Sequence, residues 1–74
     1  MNITIKNFLK TNFPKQFIYH NNKSSIKIQL PTSISQQLIN FLQLNNIQFT
    51  HTTPEYIIHK FIFYSNFTQI HIKK

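Results

Sequence analysis

Residues 25–46 read SIKIQLPTSISQQLINFLQLNN, and the reading of this stretch sets the fold class. Over Ser25–Leu30 apolar and polar residues alternate, with Ile26, Ile28 and Leu30 on one side and Ser25, Lys27 and Gln29 on the other. A period of two is that of a strand with one face on a core. Pro31 has no N–H to give to a sheet and closes the strand. Beyond it the period lengthens. Ile34, Leu38, Phe41 and Leu42 fall on one face of a helix with Ile39 beside it, while Gln36, Gln37, Asn40 and Gln43 are polar. Ser33 with Gln36 three residues later matches a capping box, and Asn45-Asn46 suits a left-handed helix end. The spacing predicts a helix over Ile34–Leu44, within residues 33–45.

The flanks extend this core. Upstream, Phe17–His20 is β-like, and Asn21-Asn22-Lys23-Ser24 joins it to the Ser25 strand as a hairpin turn. The chain contains no glycine, and asparagine tolerates positive φ better than other residues. Phe13-Pro14 marks a turn, because the residue before proline is pushed out of the α region. Asn2–Phe8 reads as a short edge strand, with Ile3 and Ile5 alternating. Downstream, Ile47-Gln48-Phe49 begins a further strand. Thr53-Pro54-Glu55 carries helix-start signals. Tyr56–Tyr64, however, is almost entirely β-branched or aromatic, which favours a strand. Ser65-Asn66 then reads as a two-residue turn into an alternating run, Thr68, Ile70 and Ile72 against Gln69, His71 and Lys73. The predicted order is β-β-β-α-β-β-β. It describes a single small α+β domain over residues 1–74, an antiparallel sheet with one main helix near 33–45 packed on one face.

Composition narrows the chemistry. Ala, Cys, Asp, Gly, Arg, Val and Trp are absent, Glu55 is the sole acid, and lysine supplies all eight basic residues for a net charge of +7. Without cysteine there is no disulfide framework, thiolate metal site or thiol nucleophile. With one carboxylate no acid/base pair exists, and a Ser/Thr–His–acid set would have to rest on Glu55, whose place beside Pro54 is explained by helix-dipole or turn chemistry. Without glycine there is no phosphate-cradling loop. His20, His51, His59 and His71 show no metal-ligand spacing. No enzymatic activity, cofactor, metal or small-molecule substrate is expected. The most apolar window, Tyr56–Phe67, is broken by His59, Lys60, Ser65 and Asn66, and it is shorter than the roughly 20 residues of a spanning helix. No apolar signal-peptide core follows the N-terminus. Ile, Leu and Phe together make 26 of the 74 residues, enough to drive collapse.

The absences share a cause in the codon table. Codons beginning with G encode Val, Ala, Asp, Glu and Gly, which together contribute one residue; Trp, Cys and Arg need G at the second position and are missing. Pro, His, Gln and Thr, which need C, still total 21 residues. The coding strand is therefore poor in G rather than merely rich in A and T, an asymmetry common in organellar genomes and found also in viruses and plasmids. Organelle genomes retain mainly hydrophobic respiratory subunits and ribosomal proteins, and this chain is too polar for the former.

A near acid-free lysine surface attracts phosphate without choosing a sequence. The candidate nucleic-acid contacts are Lys6, Lys10, Lys15, Lys23, Lys27, Lys73 and Lys74, with Tyr19 and His20 beside Lys23 as groups able to stack on bases. The absence of Arg argues against bidentate guanine reading. The expectation is a basic rRNA-binding component of an organellar ribosome, in the mitochondrion, held among neighbouring ribosomal proteins in a large complex. Another organelle, or the cytoplasm of an AT-rich microbe or a virus host, is the alternative setting. A peripheral subunit of a mitochondrial respiratory complex fits the composition nearly as well.

One stretch also resembles the ribbon-helix-helix DNA-binding proteins. Ile26–Pro31 is similar to their DNA-reading strand, with Ser25, Lys27 and Gln29 outward; a capped helix follows, then Asn45-Asn46-Ile47 where that family often has Gly-Ile, and Thr53-Pro54-Glu55 would open the second helix. The resemblance covers residues 25–64 and implies a dimeric DNA-binding regulator, or a phage or plasmid inhibitor protein. The sequence departs from the family in a longer loop over Ile47–Thr53 and in the β-branched, aromatic character of the second helix. Segment 56–64 decides between the two folds.

Overall fold

The computed structural model describes residues 5–74. The elements run α1 (Ile5–Asn12), β1 (Ile18–Asn21), β2 (Ser25–Pro31), α2 (Thr32–Leu44), β3 (Thr50–Thr52), β4 (Tyr56–His59), β5 (Ile62–Ser65) and β6 (Phe67–Lys73). Strands β1, β2, β6 and β3 form one antiparallel sheet in that spatial order; β4 and β5 form a separate two-stranded ribbon. The fold is a small α+β domain, as the alternation followed by helical spacing implies.

The period of two divides the sheet as predicted. Ile28 and Leu30 of β2 and Thr68, Ile70 and Ile72 of β6 are buried on the helix side. They pack with Leu38, Ile39 and Leu42 of α2 and with Leu9 and Phe13 from the α1 segment. Leu38→Ala-scale deletions in such a core cost about 2–5 kcal/mol, so this cluster alone accounts for much of the stability of a domain this size. The two helices meet where Phe8 stacks on Phe41, ring centroids 4.0 Å apart.

α1 corrects the edge strand read over Asn2–Phe8. Residues 2–4 lie outside the described residues, and Ile5–Phe8 is helical. Ile5, Phe8, Leu9 and Phe13 repeat at helical spacing, and burying Leu9 and Phe13 outweighs a two-residue alternation of isoleucines. The helix α2 spans Thr32–Leu44, starting two residues before the predicted Ile34. Its capping box is absent: Pro31 holds the N-cap position and no side chain caps the amides. Ser33 lies two residues inside that position. The first amide, Thr32 N–H, instead donates to the Asn66 carbonyl at 2.8 Å, and the Thr32 and Thr68 hydroxyls are 3.0 Å apart. At the other end the asparagines behave as expected. Asn46 has φ 56°, Ile47 N–H reaches the Leu42 carbonyl and Asn46 N–H the Gln43 carbonyl, a Schellman closure. The Asn45 side chain donates to the Phe41 carbonyl at 2.8 Å.

Two turn assignments change. The hairpin between β1 and β2 forms where expected, closed by Asn22 N–H to the Ser25 carbonyl, but without a left-handed residue at positions 21–24. Positive φ occurs instead at Lys15, Asn46, Lys60, Phe61 and Asn66. Tyr56–Tyr64 is not one strand paired across Ser65-Asn66. It folds back on itself at Lys60-Phe61, with Ile57 opposite Tyr64 and His59 opposite Ile62. Ser65-Asn66 carries the chain from the ribbon into β6, which belongs to the other sheet. Residues 47–49 are irregular, and β3 starts at Thr50. No second helix starts at Thr53-Pro54-Glu55, so the ribbon-helix-helix arrangement is not formed.

Lys60 and Phe61 both occupy left-handed backbone, at φ 52° and 66°. Outside glycine and asparagine that region costs roughly 1–2 kcal/mol per residue, and two-residue hairpin turns favour Asn-Gly. Replacing Lys60-Phe61 by Asn-Gly is expected to stabilise the chain by about 1–3 kcal/mol, seen as a raised urea midpoint with unchanged slope. An unchanged or lowered midpoint would contradict the turn geometry.

Candidate nucleic-acid interface

The second face of the sheet carries the polar half of every alternation. Register puts Ser25 beside Lys73, then the row His20, Lys27, His71 and Thr50, then Ile18, Gln29, Gln69 and Thr52, and finally Pro31 beside Phe67. The last two rows are covered. Gln29 is only 8% exposed although it points away from the helices, and its side-chain amide donates to Gln69 at 2.9 Å. The cover is the β4–β5 ribbon, whose Tyr64 lies against Phe67 at 5.1 Å and whose His59 meets the exposed His20 at the border with the open row, ring centroids 5.8 Å apart. Ile57 is buried yet lies outside the helix-side core.

The other end of this face stays open. Lys27 and His71 are half-buried, directly opposite one another, and Lys73 is exposed. Lys23 lies in the β1–β2 turn, and Lys74 is tied beside it through its amide to the Ser24 carbonyl at 3.0 Å. Four of the predicted lysines thus gather at one end of the sheet, Lys27 and Lys73 on the same face as His20 and His71, and Lys23 and Lys74 at the adjoining turn and strand end. His71 was legible as an outward residue of the Thr68–Lys73 alternation, though it was not singled out. Thr50, across from His71, adds a hydroxyl. Glu55, the sole acid, sits in the loop before β4.

The remaining predicted residues go elsewhere. Tyr19 pairs with Ile28, so its ring belongs to the helix side, where it packs on the core and lies 5.7 Å from the Lys6 ammonium. Lys6 and Lys10 are exposed on α1, Lys10 in its last turn, where a positive charge complements the helix dipole. Lys15 lies in the turn after Phe13-Pro14, before β1. Gln29, outward in a ribbon-helix-helix reading strand, is covered and hydrogen-bonded here, so it presents no edge to a base.

The ribbon's own outer face is a second exposed surface. Tyr56 and Phe63 stack at 5.2 Å, Ile58 lies opposite Phe63, and Phe61 at the tip is 99% exposed. Apolar surface gathered on one protruding element marks an interaction site. Its signal in the sequence was the same aromatic run that favoured a strand; the turn at its middle was invisible because it uses neither Gly nor Asn. Among the described residues no helix is long and apolar enough to cross a membrane, and no three potential metal ligands gather.

The open end can neutralise phosphate but cannot read bases by paired hydrogen bonds, since it has lysines and no arginine. Lys27→Ala with Lys73→Ala is expected to weaken RNA binding evenly across sequences and to lower the slope of log affinity against log salt by about 2. Titrations at several salt concentrations measure this; an unchanged slope would show that phosphate is met elsewhere. No protein-family model, curated protein or solved structure matches the chain.

Proposed function

We propose that the chain is a non-enzymatic, basic rRNA-binding component of a mitochondrial ribosome. The observation that carries this reading is the acid-free gathering of Lys23, Lys27, Lys73 and Lys74 with His20 and His71 at the open end of the sheet. A group of ammonium ions without carboxylates repels like-charged partners and concentrates polyanions, and it does so without sequence preference. Lys6, Lys10 and Lys15 spread further positive charge over the remaining surface and suit an RNA that wraps the domain rather than one that docks at a single point.

The ribbon supports the complementary half of the proposal. Tyr56, Ile58, Phe61 and Phe63 form an apolar outer face that suits a neighbouring protein of the same particle. Their exposure in the isolated chain fits a component that is completed by assembly. The G-poor coding strand supports an organellar gene, where a small polar basic product belongs with the ribosome rather than with the membrane-spanning respiratory subunits.

Fractionation of the source organelle tests this directly. The chain should sediment with ribosomal particles and be released as free protein at high salt, with Phe61→Ser and Phe63→Ser together reducing incorporation while leaving RNA affinity of the purified chain unchanged. Co-migration with a membrane respiratory complex, or a soluble dimer with affinity for duplex DNA alone, would reject the proposal.

A further inference from the structure

Between the ribbon tip and the α1–β1 turn lies a groove of about 450 Å³, lined by none of the residues gathered at the open end of the sheet. Lys15, Lys60, Ser33, His59, Phe17 and Tyr64 all contribute to its lining. The lining contains no carboxylate. Two of its polar groups, the Lys15 and Lys60 ammoniums, are donors only, and the Ser33 and Tyr64 hydroxyls, the His59 imidazole and the Gln16 side-chain amide can each donate as well as accept. The amides of Ser33 and Ile34, in the first turn of α2, have no acceptor within the helix, and no side chain caps them.

The two lysines share a property that base composition does not explain. Both sit in left-handed backbone, Lys15 at φ 63° and Lys60 at φ 52°. Lys15 is the third residue of a turn closed by Gln16 N–H to the Phe13 carbonyl, with proline second, a position where glycine or asparagine is usual. Lysine and asparagine codons differ only at the third base, and the chain has nine asparagines. It places asparagine in the same backbone region at Asn46 and Asn66. At these two lining positions it carries lysine instead; Phe61, next to Lys60 in the same tight turn, is the other described residue in this region that is not asparagine. Unfavourable backbone retained in this way clusters at ligand clamps.

We infer that this groove binds the phosphate of a nucleotide between Lys15 and Lys60, with the base lying against Phe17 and Tyr64. Its volume is within the range of small-ligand sites, and donors around an aromatic wall match a phosphate joined to a planar ring. The nucleotide can be one unit of an RNA strand or a free mononucleotide. The site shares no lining residue with the open end of the sheet and does not depend on the ribosomal proposal.

The test uses the full-length chain, isotope-labelled for NMR, titrated with adenosine 5′-monophosphate, with adenosine, and with a single-stranded oligouridylate. Lys15→Asn with Lys60→Asn removes both charges while relaxing the backbone, so the variant should melt no lower than the native chain and its loss of binding cannot be unfolding. The expected result is that the monophosphate shifts the resonances of Ser33, His59 and Tyr64, that adenosine does so far less, and that the double variant binds at least about tenfold more weakly. Shifts produced by the oligouridylate alone, and abolished in the variant, would support the same site with the RNA strand as its source. Lys27→Ala with Lys73→Ala should leave monophosphate affinity within about twofold, so failure of the open-end interface reads out separately. Groove resonances that move with neither nucleotide nor oligonucleotide, or binding that survives in the double asparagine variant, would overturn the inference.

Discussion

The antiparallel pairing of β2 with β6 is the contact on which the other elements depend. It runs in unbroken register from Ser25 opposite Lys73 to Pro31 opposite Phe67, joining segments from the middle and last thirds of the chain. β1 and β3 attach to its two outer edges, and α1 and α2 cover one side of it. Because the side-chain period is two, a slip of one residue would exchange Ile28 and Ile70 for Lys27 and His71 across the whole pair. Burial of isoleucine on one side and hydration of lysine on the other therefore fix the same register. The Thr32–Asn66 and Thr32–Thr68 contacts then tie the start of α2 to the start of β6.

That register also separates the chemistry of the molecule. One side of the sheet is a dry core. The other is mostly polar, with Ile18, Pro31 and Phe67 at the end that the β4–β5 ribbon covers. Under the ribbon, Gln29 and Gln69 satisfy each other in a buried position where unpaired amides would cost about 1–3 kcal/mol each. Beyond it, Lys27, His71 and Lys73 remain accessible. The ribbon thereby makes two different surfaces from one alternating pattern, and its own outer side supplies a third, apolar one at Tyr56, Phe61 and Phe63.

Much of this was legible in the residues. The strand Ser25–Pro31, the helix after it and the inward set Ile26, Ile28, Leu30, Ile70 and Ile72 follow from periodicity, which is strong wherever a face is buried. Asn45-Asn46 was legible as a helix end because few residues accept positive φ. Other features were hidden for identifiable reasons. The helix α1 was obscured because Ile3 and Ile5 mimic a strand while Phe8, Leu9 and Phe13 declare helical spacing only over a longer window. The turn at Lys60-Phe61 was obscured because neither residue signals a turn. The capping box at Ser33 failed because Asn66, distant in sequence, supplies the acceptor that satisfies the first amide of α2.

By itself the sequence determined the composition of each face: which residues of a strand share a side, that one side is apolar, and that the other carries lysine without compensating acid. These are local properties, set by the chain's period and by what its gene could encode. Only the tertiary structure decided which lysines stand together. Lys23 and Lys27 come near Lys73 and Lys74 because β2 pairs with β6, and Lys15 and Lys60 line one groove because the ribbon packs near the turn before β1. Tyr19 turns to the helix side because its register partner is Ile28. Such juxtapositions depend on strand order and on the path of a turn, which arise from long-range packing that no short stretch of sequence carries.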